Sequence, residues 1–129
     1  MGESFFNQNI SINGISSGNA PLLLELSKAG SCNLSTLAVA IGVDKAYVTR
    51  TTRSLAEKGF VTLIREDADK RNITVSLTVK GKIVVESVEK TMLEWVTIIN
   101  KGVTEEEMDI VGKVFDTFYA NGRDYFNSK

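Results

Sequence analysis

One stretch constrains the fold more than any other: residues 33–59, NLSTLAVAIGVDKAYVTRTTRSLAEKG. Asn33 precedes an apolar run with helical spacing and suits an N-cap. Leu34, Leu37, Ala38 and Ile41 fall on one helical face. Gly42 follows, where a left-handed residue ends a helix at little cost. Asp44 then caps a second helix, about Lys45 to Lys58, and Gly59 stops it. Ala38 is small where the two helices must cross, Val43 is placed to plug the corner, and Val48 is a β-branched plug beyond it. Bulk at Ala38, or a Cβ at Gly42, should meet steric resistance. Two short helices with this turn between them form a helix-turn-helix.

The second helix has two unlike faces. Val48, Thr51, Thr52 and Leu55 can turn inward, which leaves Lys45, Tyr47, Thr49, Arg50 and Arg53 near or on the outside. Lys and Arg in such a row can reach phosphates or guanine edges, and Thr and Tyr can donate to either. This is the part expected to enter a DNA groove. The plainer alternative is a solvated basic face on an ordinary core helix.

Charge is informative by its distribution. The net charge is −1. Residues 43–82 carry nine Lys/Arg against five Asp/Glu, while the remainder carries six against eleven. A positive middle between acidic flanks is a modest electrostatic footprint. The chain of 129 residues, 43% hydrophobic, suits one domain with a buried core. No apolar run reaches the roughly 18 residues of a membrane span. The N-terminus, MGESFFNQNIS, lacks the zones of a secretory signal. A single cysteine, Cys32, permits no internal disulfide and fits a reducing cytoplasm. Histidine is absent, so the commonest general base and metal ligand are missing. Glu105-Glu106-Glu107 could suggest a metal site, but acids at a helix start are explained by the helix dipole. No catalytic constellation, metal site or cofactor is expected.

Residues 1–19 are polar and Gly/Ser-rich, and read as an irregular or disordered arm. Ile10-Ser11-Ile12-Asn13 alternates like a short strand. Asn19-Ala20-Pro21 opens a helix, with Asn as cap and Pro in the first turn; Leu22, Leu23, Leu24 and Leu26 mark it as buried, and Gly30 ends it. Ser31-Cys32 suits a short strand, and Cys32 reads as a small buried residue. After Gly59 the period changes from 3.6 to 2. Val61 and Leu63, then Ile73, Val75 and Leu77, alternate with polar residues around a charged turn, residues 65–72. This hairpin follows the second helix directly, as a wing does. Lys70 and Arg71 at its tip can follow the DNA backbone or enter the minor groove. Asp69 is placed to brace Arg71; a solvated charged turn is the alternative.

Thr78 caps a long helix, about Val79 to Asn100, with a stripe of Val84, Val88, Met92, Trp95, Val96 and Ile99. Thr104-Glu105-Glu106-Glu107 is a capping box. It opens a last helix ending near Asn121, with Gly122 after it. That helix carries Met108, Val111, Val114, Phe115, Phe118 and Tyr119. Two strongly apolar helices outside a small winged core suggest a two-fold helical dimer interface; packing back on the same chain is the alternative. The expected class is mainly α with a small antiparallel β-hairpin (α+β). The expected divisions are 1–19, an arm; 20–82, a winged helix-turn-helix; and 83–129, helices for dimerisation.

In this order the parts resemble the MarR family of bacterial transcriptional regulators, over residues 20–85. The resemblance is carried by LSTLAVAIGVDKAYVTRTTRSLAEKGFV (34–61) and DADKRNITVSLTVKGK (67–82), including Asp69-x-Arg71 and Leu77-Thr78-x-x-Gly81. It implies a cytoplasmic homodimer that binds a palindromic operator in double-stranded DNA, usually as a repressor. A small-molecule effector or oxidant releases the DNA in many members. On this chain it points to Lys45, Tyr47, Thr49, Arg50 and Arg53 on the helix, with Asp69 and Arg71 on the wing. The chain departs from the pattern at its start, where members have a long intertwining helix. Cys32 does not stand where oxidant-sensing members carry their cysteine. The competing reading is a winged-helix adaptor that binds protein and has no specific DNA binding.

Overall fold

The structure, a computed structural model, describes residues 1–9, 14–65 and 72–128. Elements run α1 (Gly2–Asn9), a 3-10 turn (Ser17–Asn19), α2 (Ala20–Ala29), β1 (Ser31–Asn33), α3 (Leu34–Ile41), α4 (Lys45–Glu57), β2 (Val61–Arg65), β3 (Ile73–Leu77), α5 (Val79–Ile99) and α6 (Glu105–Asn127). The fold is mainly helical with one small antiparallel sheet. That sheet has three strands in the order β1-β3-β2. The hairpin pairs Val61 with Leu77 and Arg65 with Ile73, while Cys32 of β1 pairs with Val75. The short strand at Ser31-Cys32 therefore widens the wing's sheet.

The chain divides into two compact units, Met1–Val96 and Thr97–Lys129. The core of the first is aliphatic. Leu22, Leu23 and Leu26 of α2, Leu37 of α3, Val48 and Leu55 of α4, Phe60, Val75 and Val88 are almost fully buried. Each such side chain contributes about 1.5–3 kcal/mol by leaving water. The first part of α5 belongs to this core through Val84, Val85, Val88 and Thr91. The apolar pattern alone puts the long helix outside the winged region; instead its N-terminal half closes that region. Met92, Val96 and Ile99, which share the stripe in sequence, are exposed.

Several expectations are corrected. Residues 2–9 form a helix in place of the expected irregular arm. Eight residues cannot hold a helix alone in water. Burial of Phe6 and the stacking of Phe5 on Trp95, 5.2 Å between ring centroids, supply the tertiary support. Ile10-Ser11-Ile12-Asn13 lies outside the described residues. Asn19 precedes α2, but its carboxamide oxygen accepts from the Ser16 amide at 2.9 Å and so serves the preceding turn. Val43 is exposed rather than buried in the corner; its amide donates to the Ala38 carbonyl at 3.1 Å. Gly42 sits at φ 73°, ψ 35°, and a Cβ there would meet nothing within 4 Å. Its resistance to substitution is conformational rather than steric. Finally, α6 runs through Gly122 to Asn127.

The capping box at the start of the second unit is formed. The Glu107 amide donates to Thr104 Oγ1 at 3.1 Å, and the Thr104 amide donates to Glu107 Oε1 at 3.0 Å. These bonds, the backbone one first, hold the Glu107 carboxyl below its ordinary pKa.

Candidate nucleic-acid interface

The turn that presents α4 is built from two caps. Asn33 Oδ1 accepts from the Thr36 amide at 2.7 Å, and Asp44 Oδ1 accepts from the Tyr47 amide at 2.7 Å. Between them Gly42 reverses the chain. Helix α4 then buries Val48, Thr52 and Leu55 completely. The buried Thr52 hydroxyl costs little, because it donates to the Val48 carbonyl at 2.8 Å. Thr51 is half-buried.

The opposite face carries the cations. Lys45, Arg50 and Arg53 are exposed. Among the described residues no ion pair or hydrogen bond engages either arginine. Thr49 and Tyr47 are half-buried and locally occupied. The Thr49 hydroxyl donates to the Lys45 carbonyl at 2.8 Å, and the Tyr47 hydroxyl to the Gly18 carbonyl at 3.3 Å. A hydroxyl has one proton to give, so neither has one left for a phosphate while these bonds hold.

The far end of α4 is locked to the start of α5. Lys80 Nζ donates to the Lys58 carbonyl at 2.8 Å and lies 4.7 Å from the centroid of the Phe60 ring. A cation there satisfies an orphan carbonyl and suits the negative end of the helix dipole. Thr78 Oγ1 donates to the Gly59 carbonyl at 2.6 Å and accepts from the Gly81 amide at 3.0 Å, so it caps α5 while holding the turn after α4. Gly81 is buried directly against the Phe60 carbonyl.

The wing joins this face at its root. Asp69, Lys70 and Arg71 lie outside the described residues. Arg65, at the end of β2, is a residue that sequence reasoning missed. It borders a cleft of about 160 Å³ with Arg53, Leu63 and Ile73. A signal for it exists in the chain: Val61, Leu63 and Arg65 share one face of the strand by alternation, and the third is charged.

Elsewhere in the first unit, a broad cavity of about 640 Å³ opens among α1, the 3-10 turn, α2 and α5, lined by Phe6, Gly18, Pro21, Leu24 and Met92. Burial pushes the Cys32 thiol up, and Glu25 adds to this, which suits a packed residue and keeps the thiolate scarce. Among the described residues no three His, Cys, Asp or Glu side chains are placed to hold a metal, and no helix is long and apolar enough to cross a membrane.

Comparison with known proteins agrees with this geometry. Residues 15–73 match the MarR family. The transcriptional regulator BilQ of Clostridium symbiosum is 31% identical over 73% of this chain and 65% of its own. The chain spans less than two thirds of the length of the first curated relatives it matches. A MarR transcriptional regulator from Methanosarcina mazei Go1 superposes with a TM-score of 0.86 at 26% identity, over 96% of this chain and 89% of that one. A mutant MarR from E. coli, solved in complex with operator DNA, superposes at 0.78 with 21% identity, over 91% and 84% of the two chains. The turn, α4 and β2 all lie within residues 15–73, and that segment is of the MarR family.

Proposed function

We propose that this chain is a DNA-binding transcriptional regulator that acts in the cytoplasm as a homodimer on a palindromic operator, as a repressor. The observation that carries the reading is the split character of α4. One face is sealed into the core, and the other presents Lys45, Arg50 and Arg53 to solvent. Arg50 and Arg53 reach base edges or phosphates; Lys45 lies at the end of the helix nearest the turn. Tyr47 and Thr49 line the same surface, and contribute shape and apolar contact because their protons are donated within the chain. Lys70 and Arg71 extend the contact from the wing, with Asp69 orienting Arg71. The operator complex of the E. coli protein of the same fold supports this placement.

The dimer reading rests on α6. Met108, Val111, Phe115, Phe118, Gly122 and Tyr125 recur at alternating steps of three and four residues, the spacing of a helix-packing seam. Phe115 is 64% exposed and Phe118 63%. Side chains of that size left in water along a single stripe mark an interaction face, and a second copy supplies a self-complementary one. The open cavity between α1 and α2 is the candidate seat for a small apolar effector.

Selection of duplexes from a random pool by the purified chain tests the reading. The expected product is an inverted repeat with half-sites about one helical turn, roughly 34 Å, apart. Recovery of no preferred sequence, with equally weak binding to any duplex, would instead favour the protein-binding adaptor.

A further inference from the structure

The segment that leads into α2 touches α4 at both of its ends. Tyr47, in the first turn of α4, donates its hydroxyl proton to the Gly18 carbonyl at 3.3 Å. Lys58, at the other end, donates from Nζ to the Gly14 carbonyl at 3.3 Å. Residues 14–19 therefore run alongside the helix in the opposite direction. Gly14 is pressed against the lysine stem: its φ is 91°, and a Cβ built there would stand 2.7 Å from Lys58 Cδ. Ile15, beside it, is buried in the core of the first unit. Both bonds are exposed to solvent, where a hydrogen bond adds little to stability. Their distinction is placement, one at each end of the helix that carries Arg50 and Arg53.

The other side of the segment belongs to the cavity. Ser17 and Gly18 line it together with Phe6 of α1. The Ser17 amide donates to Asn7 Oδ1 at 3.0 Å, which ties the segment to α1. Helix α1 in turn rests on Trp95. Phe5 stacks on its ring, and a Cβ at Gly2, another lining residue, would stand 3.1 Å from its Nε1. One short stretch of chain thus forms part of the cavity wall and holds the reading helix at two points.

We infer that residues 14–19 are a strap that couples the cavity to α4, with Tyr47 and Lys58 as the positioning residues. An occupant that displaces the wall at Ser17 and Gly18 pulls on both ends of α4 and turns its outer face. Coupling between two sites is reciprocal, so DNA held by α4 acts back on the wall with the same free energy. On this assignment the Lys58 charge serves the strap rather than a phosphate. The inference rests on the regulator reading and adds to it the path by which the cavity reaches the helix. A competing route runs through α5, whose start Thr78 and Lys80 tie to the end of α4.

The chain's single tryptophan separates the two routes. The selected duplex is titrated to saturation against wild type, Tyr47→Phe, Lys58→Met and the double variant. Anisotropy of the labelled duplex follows binding, and Trp95 emission follows the cavity side. Wild type is expected to change its Trp95 emission in step with binding. Each single variant keeps part of that response, and the double variant, saturated with the same duplex, loses it. Lys58→Arg keeps it, since a donor remains. Between about 50 and 200 mM salt, Lys58→Met is expected to keep the wild-type slope of log K against log salt. A slope lower by about 0.9 gives Lys58 to a phosphate and overturns the inference. An emission change that survives in the double variant assigns the coupling to α5 and overturns it too, as does a saturated wild type whose Trp95 emission does not move; the regulator reading stands in each case. If the double variant loses its circular dichroism, the singles decide, and full wild-type responses in both overturn the inference. A wild-type chain that binds no duplex overturns both the strap and the regulator reading.

Discussion

Gly81→Ala should be the most damaging small substitution in the first unit, although alanine is the better helix former. Gly81 lies in the first turns of α5, buried. A Cβ built there would drive into the carbonyl oxygen of Phe60 and come within 3.1 Å of both the Phe60 carbonyl carbon and Leu77 Cδ2. The Phe60 backbone has no room to swing aside. Its side chain is fully buried, its amide donates to the Leu55 carbonyl at 2.9 Å, and its carbonyl accepts from the Thr78 amide at 3.1 Å. Relief must come from α5 lifting off the turn after α4. That movement strains the bonds from Thr78 to Gly59 and Phe60, and from Lys80 to Lys58. Overpacking of a tight site costs about 1–3 kcal/mol. Three weakened hydrogen bonds add about 1 kcal/mol each. Against these stands the helix preference of alanine over glycine, about 1 kcal/mol. The balance is a loss of about 3–5 kcal/mol, out of a total of about 5–15 kcal/mol for a domain of this kind. Urea unfolding followed by circular dichroism measures it as a lower midpoint at unchanged slope. A midpoint equal to or above that of wild type would refute the reasoning, because it would mean that the helix and the turn do not touch as described.

Two further outcomes follow from the same geometry. Tyr47→Phe removes the hydroxyl that donates to Gly18; it should lower stability by about 0.5–1.5 kcal/mol while leaving the salt dependence of DNA binding at the wild-type slope, and a reduced slope would show that the hydroxyl meets a phosphate. Phe118→Glu puts a charge in the proposed α6 seam, where burial against a partner would be costly; light scattering on a gel-filtration column should show a dimer for wild type and a monomer for the variant, and equal masses would place any dimer contact elsewhere.

What can be read from the sequence divides along a physical line. Caps and turn residues act within a few positions of chain, so Asn33, Gly42 and Asp44 are legible, and both the amide and the carboxyl cap lie where expected. The change of period after Gly59 locates the hairpin for the same reason. Features set by distant partners are not legible. The first helix depends on Trp95, far along the chain, and its polar, glycine-bearing sequence reads as an arm. The buried half of α5 depends on the winged core beneath it; its apolar pattern alone does not say where the core ends and the exposed stripe begins. Asn19 has two turns within reach and serves the earlier one. At the candidate site, Lys45, Arg50 and Arg53 are legible because helical spacing separates faces cleanly. The occupied hydroxyls of Tyr47 and Thr49 are not, since sequence spacing gives no hydrogen-bond partner. Arg65 reads as part of a charged turn, although its parity in the strand sets it on the inner side.

The claim on which the account depends is that the outer face of α4 reads DNA. The most direct measurement compares wild type and Arg50→Ala on the selected duplex and on its scrambled counterpart at fixed salt. The expected result is a drop in preference for the selected duplex of about 1–3 kcal/mol, the discrimination carried by one bidentate base contact, with a folded, dimeric variant. Wild-type affinity and wild-type preference in Arg50→Ala would contradict the account.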